Sequence, residues 1–213
     1  MKVFYRWSIL FCRLCFFFFA KLEIEGKENI PPKGPLLVVC NHLSNADPPI
    51  VMMAFNRPLF SLAKKELFSN VLYRWFFSTV GAFPVNRNGN NILALRWVIQ
   101  GLSQDKAIMI FPEGTRSKSG AMTKASPGIG YLAIKSQAPV LPVAITGSEK
   151  IKQIWRLPFP FCSLKVRIGT AFTIPYIEGR LNEALIQDIS DSIMSRIAYL
   201  LPTNYRGSYS SWR

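Results

Sequence analysis

Pro35-Leu-Leu-Val-Val-Cys-Asn-His-Leu-Ser-Asn-Ala-Asp47 is the stretch that decides how this chain folds. A short, unbroken apolar run bounded by turn residues reads as a strand buried on both faces. It gives way at Asn41 to a polar loop. Pro48-Pro49 and a new apolar run then announce a helix. Strand, loop and helix in that order are the first half of a crossover unit. The loop also holds His42, the only histidine in the chain, five residues before Asp47. Histidine is the side chain whose ordinary pKa makes it a ready proton acceptor near neutral pH.

Similar runs recur on both sides. Leu59–Ala63, Gly81–Val85, Ala107–Phe111, Val140–Ile145 and Leu164–Ile168 all read as strands. Between and after them, Ile92, Leu95, Ile99 and Leu102, then Leu185, Ile189, Ile193 and Ile197, repeat at helical spacing. Alternating strands and helices predict an α/β domain with a mixed, largely parallel sheet flanked by helices. Its ligand site is expected at the carboxyl ends of the strands. The division expected is an N-terminal membrane-interface helix over 1–21, a domain over 22–201 and a frayed tail over 202–213.

The 213 residues suffice for one domain with a real core, and 49% of them are hydrophobic, which excludes disorder. Twenty-six basic against 12 acidic residues leave a net charge of +14. That excess calls for an acidic partner. Nucleic acid would require aromatics interleaved with the cations on one face. Here the aromatics gather in the N-terminal segment and the apolar strands, so no nucleic-acid partner is expected.

Residues 8–20 are apolar, but the run is shorter than the ~20 residues that span a bilayer, and Arg13 breaks it. Wound as a helix, Lys2, Arg6 and Arg13 fall within about 40° of one another. Phe4, Trp7, Phe11, Phe18 and Phe19 lie off that stripe. This is the pattern of a helix lying in a membrane interface, cations toward headgroups. A signal peptide fits less well, since Arg13 interrupts its apolar region and no small-x-small cleavage site follows. Cys12 and Cys15 form a C-x-x-C with no second pair to complete a metal site, so they read as apolar fillers. Nothing suggests a disulfide framework, which points to a reducing compartment.

In the Asn41–Asp47 loop a carboxylate at 47 can accept the imidazole Nδ1–H, leaving Nε2 free to take a proton. It also suits a plain N-cap with Pro48 at the first helical position. Backbone N–H groups of the same turn are candidate oxyanion donors. Gly81-Ala-Phe-Pro-Val-Asn-Arg87 ends a strand in an arginine, whose planar fork suits phosphate. Phe111-Pro-Glu-Gly-Thr-Arg-Ser117 puts Glu113, Gly114, Thr115 and Arg116 on a tight loop. Gly114 allows close backbone approach to a ligand. Glu113 would accept hydroxyls or order Arg116, and Arg116 would meet phosphate, with Lys118 and Lys124 adding positive potential. Lys64-Lys65 closes another strand, and Val140–Gly147 forms a wall.

Taken in order and spacing, these blocks resemble the glycerolipid acyltransferases, most closely the 1-acyl-sn-glycerol-3-phosphate acyltransferases. The likeness covers roughly residues 22–175. Asn41–Asp47 is similar to the family's first block, Gly81–Arg87 to the second, Phe111–Ser117 to the third and Val140–Gly147 to the fourth. Asn86 stands where the family commonly has aspartate. The resemblance implies transfer of a fatty acyl group from acyl-CoA or acyl carrier protein to the sn-2 hydroxyl of a lysophospholipid, giving phosphatidic acid. His42 would be the base and Asp47 its orienter. Lys65, Arg87, Glu113, Gly114, Thr115 and Arg116 would bind substrate. Neither metal nor cofactor is implied. The expected location is the cytoplasmic face of a bacterial inner membrane. Three further readings stay open: Cys40 as an acylated nucleophile, glycerol-3-phosphate or another lysolipid as the acceptor, and a basic membrane-binding module without catalysis.

Overall fold

The computed structural model describes residues 2–86, 92–151, 153 and 156–211. A seven-stranded sheet runs in the order β1-β7-β6-β2-β5-β3-β4. The strands are β1 (Lys21–Glu25), β2 (Leu36–Cys40), β3 (Leu59–Lys64), β4 (Ala82–Val85), β5 (Ala107–Ile110), β6 (Val140–Thr146) and β7 (Ser163–Ile168). Strands β2 to β6 are parallel, so their carboxyl ends share one edge of the sheet. β7 turns back antiparallel to β6, and β1 pairs with β7 in parallel. This is the α/β architecture with a mixed, mostly parallel sheet that the sequence pattern predicts.

The helices are α1 (Lys2–Phe19), α2 (Asp47–Ala54), α3 (Val71–Thr79), α4 (Ile92–Ser103), α5 (Gly128–Ser136) and α6 (Glu183–Leu200). Alternation along β2 builds two cores. Leu36, Val38 and Cys40 face α1 and α2, whereas Leu37 and Val39 face α4, α5 and α6. Because both faces of β2 and β5 are covered, every residue of these strands is buried. That is why their sequences are apolar without interruption.

β1 escaped the strand reading. Its Lys-Leu-Glu-Ile-Glu alternates as an edge strand does, but it is too short and charged to stand out. Glu25 is held against β7 by Lys165 and Arg167, which pull its carboxyl down to about 2.

Two expectations about the ends of the chain need correction. The segment after Pro202 is not frayed. It forms two 3-10 turns, Thr203–Tyr205 and Gly207–Tyr209, and buries Tyr209 in the α4–α6 core. The Tyr209 hydroxyl donates to Asp191 Oδ1 at 2.7 Å and accepts from the Ala125 N–H at 3.0 Å. The polar composition of the tail hides one aromatic anchor.

The cationic stripe of α1 is also not wholly free. Arg13 donates to the carbonyls of Met53 (2.8 Å from Nη2) and Phe55 (3.3 Å), closing the carboxyl end of α2. Tyr5, Ile9 and Phe16 are buried against the domain. Burying side chains of this size contributes ~1.5–3 kcal/mol each. The helix is therefore docked along one face while Trp7, Phe11 and Phe18 stay exposed. Burial, with Cys15 adding, pushes the Cys12 thiol up to about 11, in keeping with an apolar filler. Among the described residues no helix is long and apolar enough to cross a membrane.

Docking of the tail yields a measurable consequence. Tyr209→Phe strands the Ala125 N–H and removes one donor from Asp191, at about 1–3 kcal/mol. At about 2–4 °C per kcal/mol for a domain of this size, thermal unfolding followed by circular dichroism should show a midpoint lower by several degrees. A frayed tail would leave it unchanged.

Candidate active site

The site is assembled at the shared carboxyl edge. β2 ends at Cys40, and the next residue extends the sheet with its side chain. Asn41 Nδ2 donates to the Ile145 carbonyl at 3.0 Å, and Asn41 Oδ1 accepts from the Ile145 N–H at 2.8 Å. The amide thus mimics one more backbone pair with β6 and sets the direction in which His42 leaves the strand.

Asp47 is the first residue of α2; Ala46, not Asp47, takes the N-cap position. The carboxylate turns back over the loop instead. Its Oδ2 accepts the N–H groups of Leu43 (2.7 Å) and Ser44 (2.8 Å) and lies 2.8 Å from His42 Nδ1. An oxygen already serving as acceptor to two amides is the acceptor for the ring as well. This assigns the proton to Nδ1 and leaves the Nε2 lone pair available. Both side chains are buried.

The backbone of His42 is gripped by the Phe111–Ser117 loop. Its N–H donates to Glu113 Oε1 at 2.9 Å, and its carbonyl accepts the Ser117 N–H at 2.8 Å. The Phe111 ring stacks on the imidazole at 4.2 Å between centroids, inclined by 25°. Glu113 Oε2 accepts from both the N–H and the hydroxyl of Thr123. One carboxylate therefore ties the histidine peptide to the segment before α5.

This changes the role expected of Glu113. Its oxygens are engaged by protein donors, and it forms no ion pair with Arg116, so it does not order that arginine. The loop turns at Gly114 with φ of 68°, and a Cβ there would meet open space, so it is the backbone angle that selects glycine. Thr115 and Arg116 are exposed, as are Lys118, Lys124 and Lys65, which opens the 3-10 turn after β3. Arg87 lies outside the described residues.

Most of the expected oxyanion donors are likewise committed, the N–H of the exposed Asn45 being the exception. The N–H groups of His42, Leu43, Ser44, Ala46 and Asp47 all bond within the loop or to Glu113. Cys40 is fully buried, and its thiol is pushed well up, first by burial and then by the Asp47 and Glu113 carboxylates. A thiol kept protonated is a poor nucleophile.

Sequence reasoning brought together His42, Asp47 and the 111–117 loop. It missed Thr123, Asn41 as a sheet extender, and Ser44, whose hydroxyl donates to the Ile151 carbonyl at 2.7 Å. No signal for these exists in one sequence, because Asn41 and Ser44 bond backbone more than a hundred residues away and Thr123 bonds a carboxylate on another loop.

A family model for acyltransferases matches residues 21–146. The chain belongs to the acyltransferase family. The matched span runs from the start of β1 to the end of β6 and contains the whole His42 loop. Among individual members, the chain is 39% identical over 131 residues to a probable 1-acyl-sn-glycerol-3-phosphate acyltransferase of Mycoplasma genitalium, covering 59% of this chain and 49% of that protein. It is 32% identical over 138 residues to the 1-acyl-sn-glycerol-3-phosphate acyltransferase of Borreliella burgdorferi, covering 63% and 55%. To the alpha form from Homo sapiens it is 31% identical over 133 residues, covering 61% and 47%. The chain thus spans about half the length of the curated relatives it matches. The crystal structure of the 1-acyl-sn-glycerophosphate acyltransferase PlsC from Thermotoga maritima superposes with a TM-score of 0.70 at 24% identity, over 93% of this chain and 80% of that one. At that identity the likeness concerns the fold of this acyltransferase family.

The clamp on His42 is open to test without an activity assay. Glu113→Gln keeps the length of the side chain but sets an NH2 group against the His42 or Thr123 donors. A loss of about 1–3 kcal/mol in denaturant unfolding is expected. An unchanged midpoint would mean that the carboxylate does not hold the loop.

Proposed function

We propose that this protein transfers a fatty acyl group from an acyl thioester to the sn-2 hydroxyl of 1-acyl-glycerol-3-phosphate, forming phosphatidic acid. The observation that carries this reading is the His42 Nδ1 to Asp47 Oδ2 contact of 2.8 Å, buried at the carboxyl edge of the sheet beside exposed cations. The names of the relatives above support the substrate class.

Nε2 of His42 takes the proton from the acceptor hydroxyl as its oxygen attacks the thioester carbonyl carbon. The imidazolium so formed is stabilised by Asp47. Collapse of the tetrahedral intermediate breaks the C–S bond, and the leaving sulfur receives the proton back from His42. Lys65, Arg87 and Arg116 hold the phosphate, and Gly114 and Thr115 bound the glycerol backbone. Glu113 supports binding through the loop that it ties down. No metal or cofactor takes part; acyl-CoA or acyl carrier protein is the co-substrate, and either brings acidic groups to a +14 chain. α1 lies in the interface of an anionic membrane, at the cytoplasmic face of a bacterial inner membrane, where the lysophospholipid resides.

The test is an acyl-transfer assay with several lysolipid acceptors, glycerol-3-phosphate and both donor types. His42→Ala should lower turnover by about 10²–10⁴-fold, the range of a lost general base. Asp47→Asn should also lower turnover, while Cys40→Ala should retain it. Undiminished transfer by His42→Ala overturns the mechanism, and preference for glycerol-3-phosphate overturns the acceptor.

A further inference from the structure

α3 is an anomaly in a crossover position. Its sequence, Val-Leu-Tyr-Arg-Trp-Phe-Phe-Ser-Thr over Val71–Thr79, is apolar nearly all round, yet none of its residues is buried. A helix apolar on every side normally lies in a core or in lipid. Here Val71 is 78% exposed, Leu72 73% and Trp75 57%. The helix is nonetheless well started, since Asn70 Oδ1 accepts the Leu72 N–H at 2.8 Å.

α3 is not an isolated patch. Phe4 of α1 packs edge-on against Trp75 at 4.8 Å and reaches Phe76 at 6.1 Å. At the other end of α1, Phe19 meets Phe159 and Phe161 at 4.8 and 5.5 Å. Between these contacts Trp7, Leu10, Phe11, Leu14, Phe17 and Phe18 point outward. The exposed apolar surface therefore runs without a break from α3 along α1, about 27 Å of helix, to the 159–161 turn. Soluble monomers rarely carry an apolar surface of that extent without a partner.

Charge decides which partner. α1, α3 and residues 156–163 contain no acidic residue. Arg6 and Arg74 are exposed along this surface. A two-fold contact through these segments would set their cations against one another with no carboxylate of α1, α3 or residues 156–163 to offset them. Apolar side chains, interfacial Trp and Tyr, and cations alone fit an anionic lipid surface.

We propose that α3 is a second membrane-inserting element, and that α1, α3 and the 159–161 turn together seat one face of the sheet flat on an anionic bilayer. The proposal rests on the interfacial reading of α1 given above and extends it to a part of the domain body. With α3 meeting α1 through Phe4 and also in lipid, rotation about the axis of α1 is blocked. The carboxyl edge of the sheet then keeps a constant height above the lipid.

The experiment is flotation of the full chain with vesicles of phosphatidylcholine alone and of phosphatidylcholine with phosphatidylglycerol. Val71→Glu/Leu72→Glu alters two outward side chains and leaves the Asn70 cap in place; Leu72→Ser is the milder companion. Trp7→Glu probes α1. The double variant should bind mixed vesicles about ten- to a hundredfold more weakly, as expected for withdrawing two apolar side chains from lipid. Leu72→Ser should show a smaller loss of the same sign, and both variants should keep the wild-type unfolding midpoint. If Trp7→Glu detaches while both α3 variants bind like wild type, the α3 proposal is wrong and the α1 reading survives. If wild type does not float with either vesicle, the membrane reading itself fails. A dimer in lipid-free sedimentation that Val71→Glu/Leu72→Glu dissociates would overturn the proposal in favour of self-association.

Discussion

Three N–H groups converge on one oxygen, Asp47 Oδ2, and the rest of the site depends on that convergence. Two come from the loop backbone at Leu43 and Ser44, and the third is the imidazole Nδ1–H. A single carboxylate thus shapes the loop and orients the ring that the loop carries. The spacing follows from this. Four intervening residues let the chain curl from the end of β2 into the first turn of α2, so that the carboxylate can look back at its own loop.

The grip is completed from outside. The Phe111–Ser117 loop holds both the N–H and the carbonyl of His42 and lays a phenyl ring on the imidazole. Two adjacent parallel strands, β2 and β5, bring these loops together because they end at the same edge. Glu113 spends its acceptors on backbone and on Thr123, so the polar residues of the loop divide. Glu113 and Ser117 build the site from either side of the turn, and Thr115 and Arg116 between them face outward. Preorganised side chains of this kind do not have to be ordered again when a substrate arrives.

A second division runs through the whole molecule. The face covered by α4, α5 and α6 is closed, down to the Tyr209 anchor in the tail. On the opposite face α1 is pinned to α2 through Arg13, but its outer side and α3 remain apolar and uncovered. The asymmetry places the uncovered apolar surface on one side of the sheet and leaves the edge that carries His42 between the two.

Much of this was legible in the chain. Short apolar or alternating runs revealed six of the seven strands; the runs are unbroken in β2, β5 and β6, because burial on both faces leaves no room for polar residues. The Asn-His…Asp and Phe-Pro-Glu-Gly-Thr-Arg-Ser segments revealed the two loops of the site, because turn chemistry and titratable groups are local. Other features came only with tertiary structure. The alternating, charged β1 needed β7 beside it to count as a strand. Arg13 read as a headgroup contact until Met53 and Phe55 supplied carbonyls. Glu113 read as a substrate ligand or a partner of Arg116, and only the fold showed its oxygens bonded to the His42 N–H and to Thr123. Sequence determined which elements form and which residues carry chemistry, since those follow from periodicity and side-chain type. Structure alone decided what each polar group bonds, because hydrogen-bond partners are chosen by proximity in space, and here they lie up to 142 residues apart along the chain.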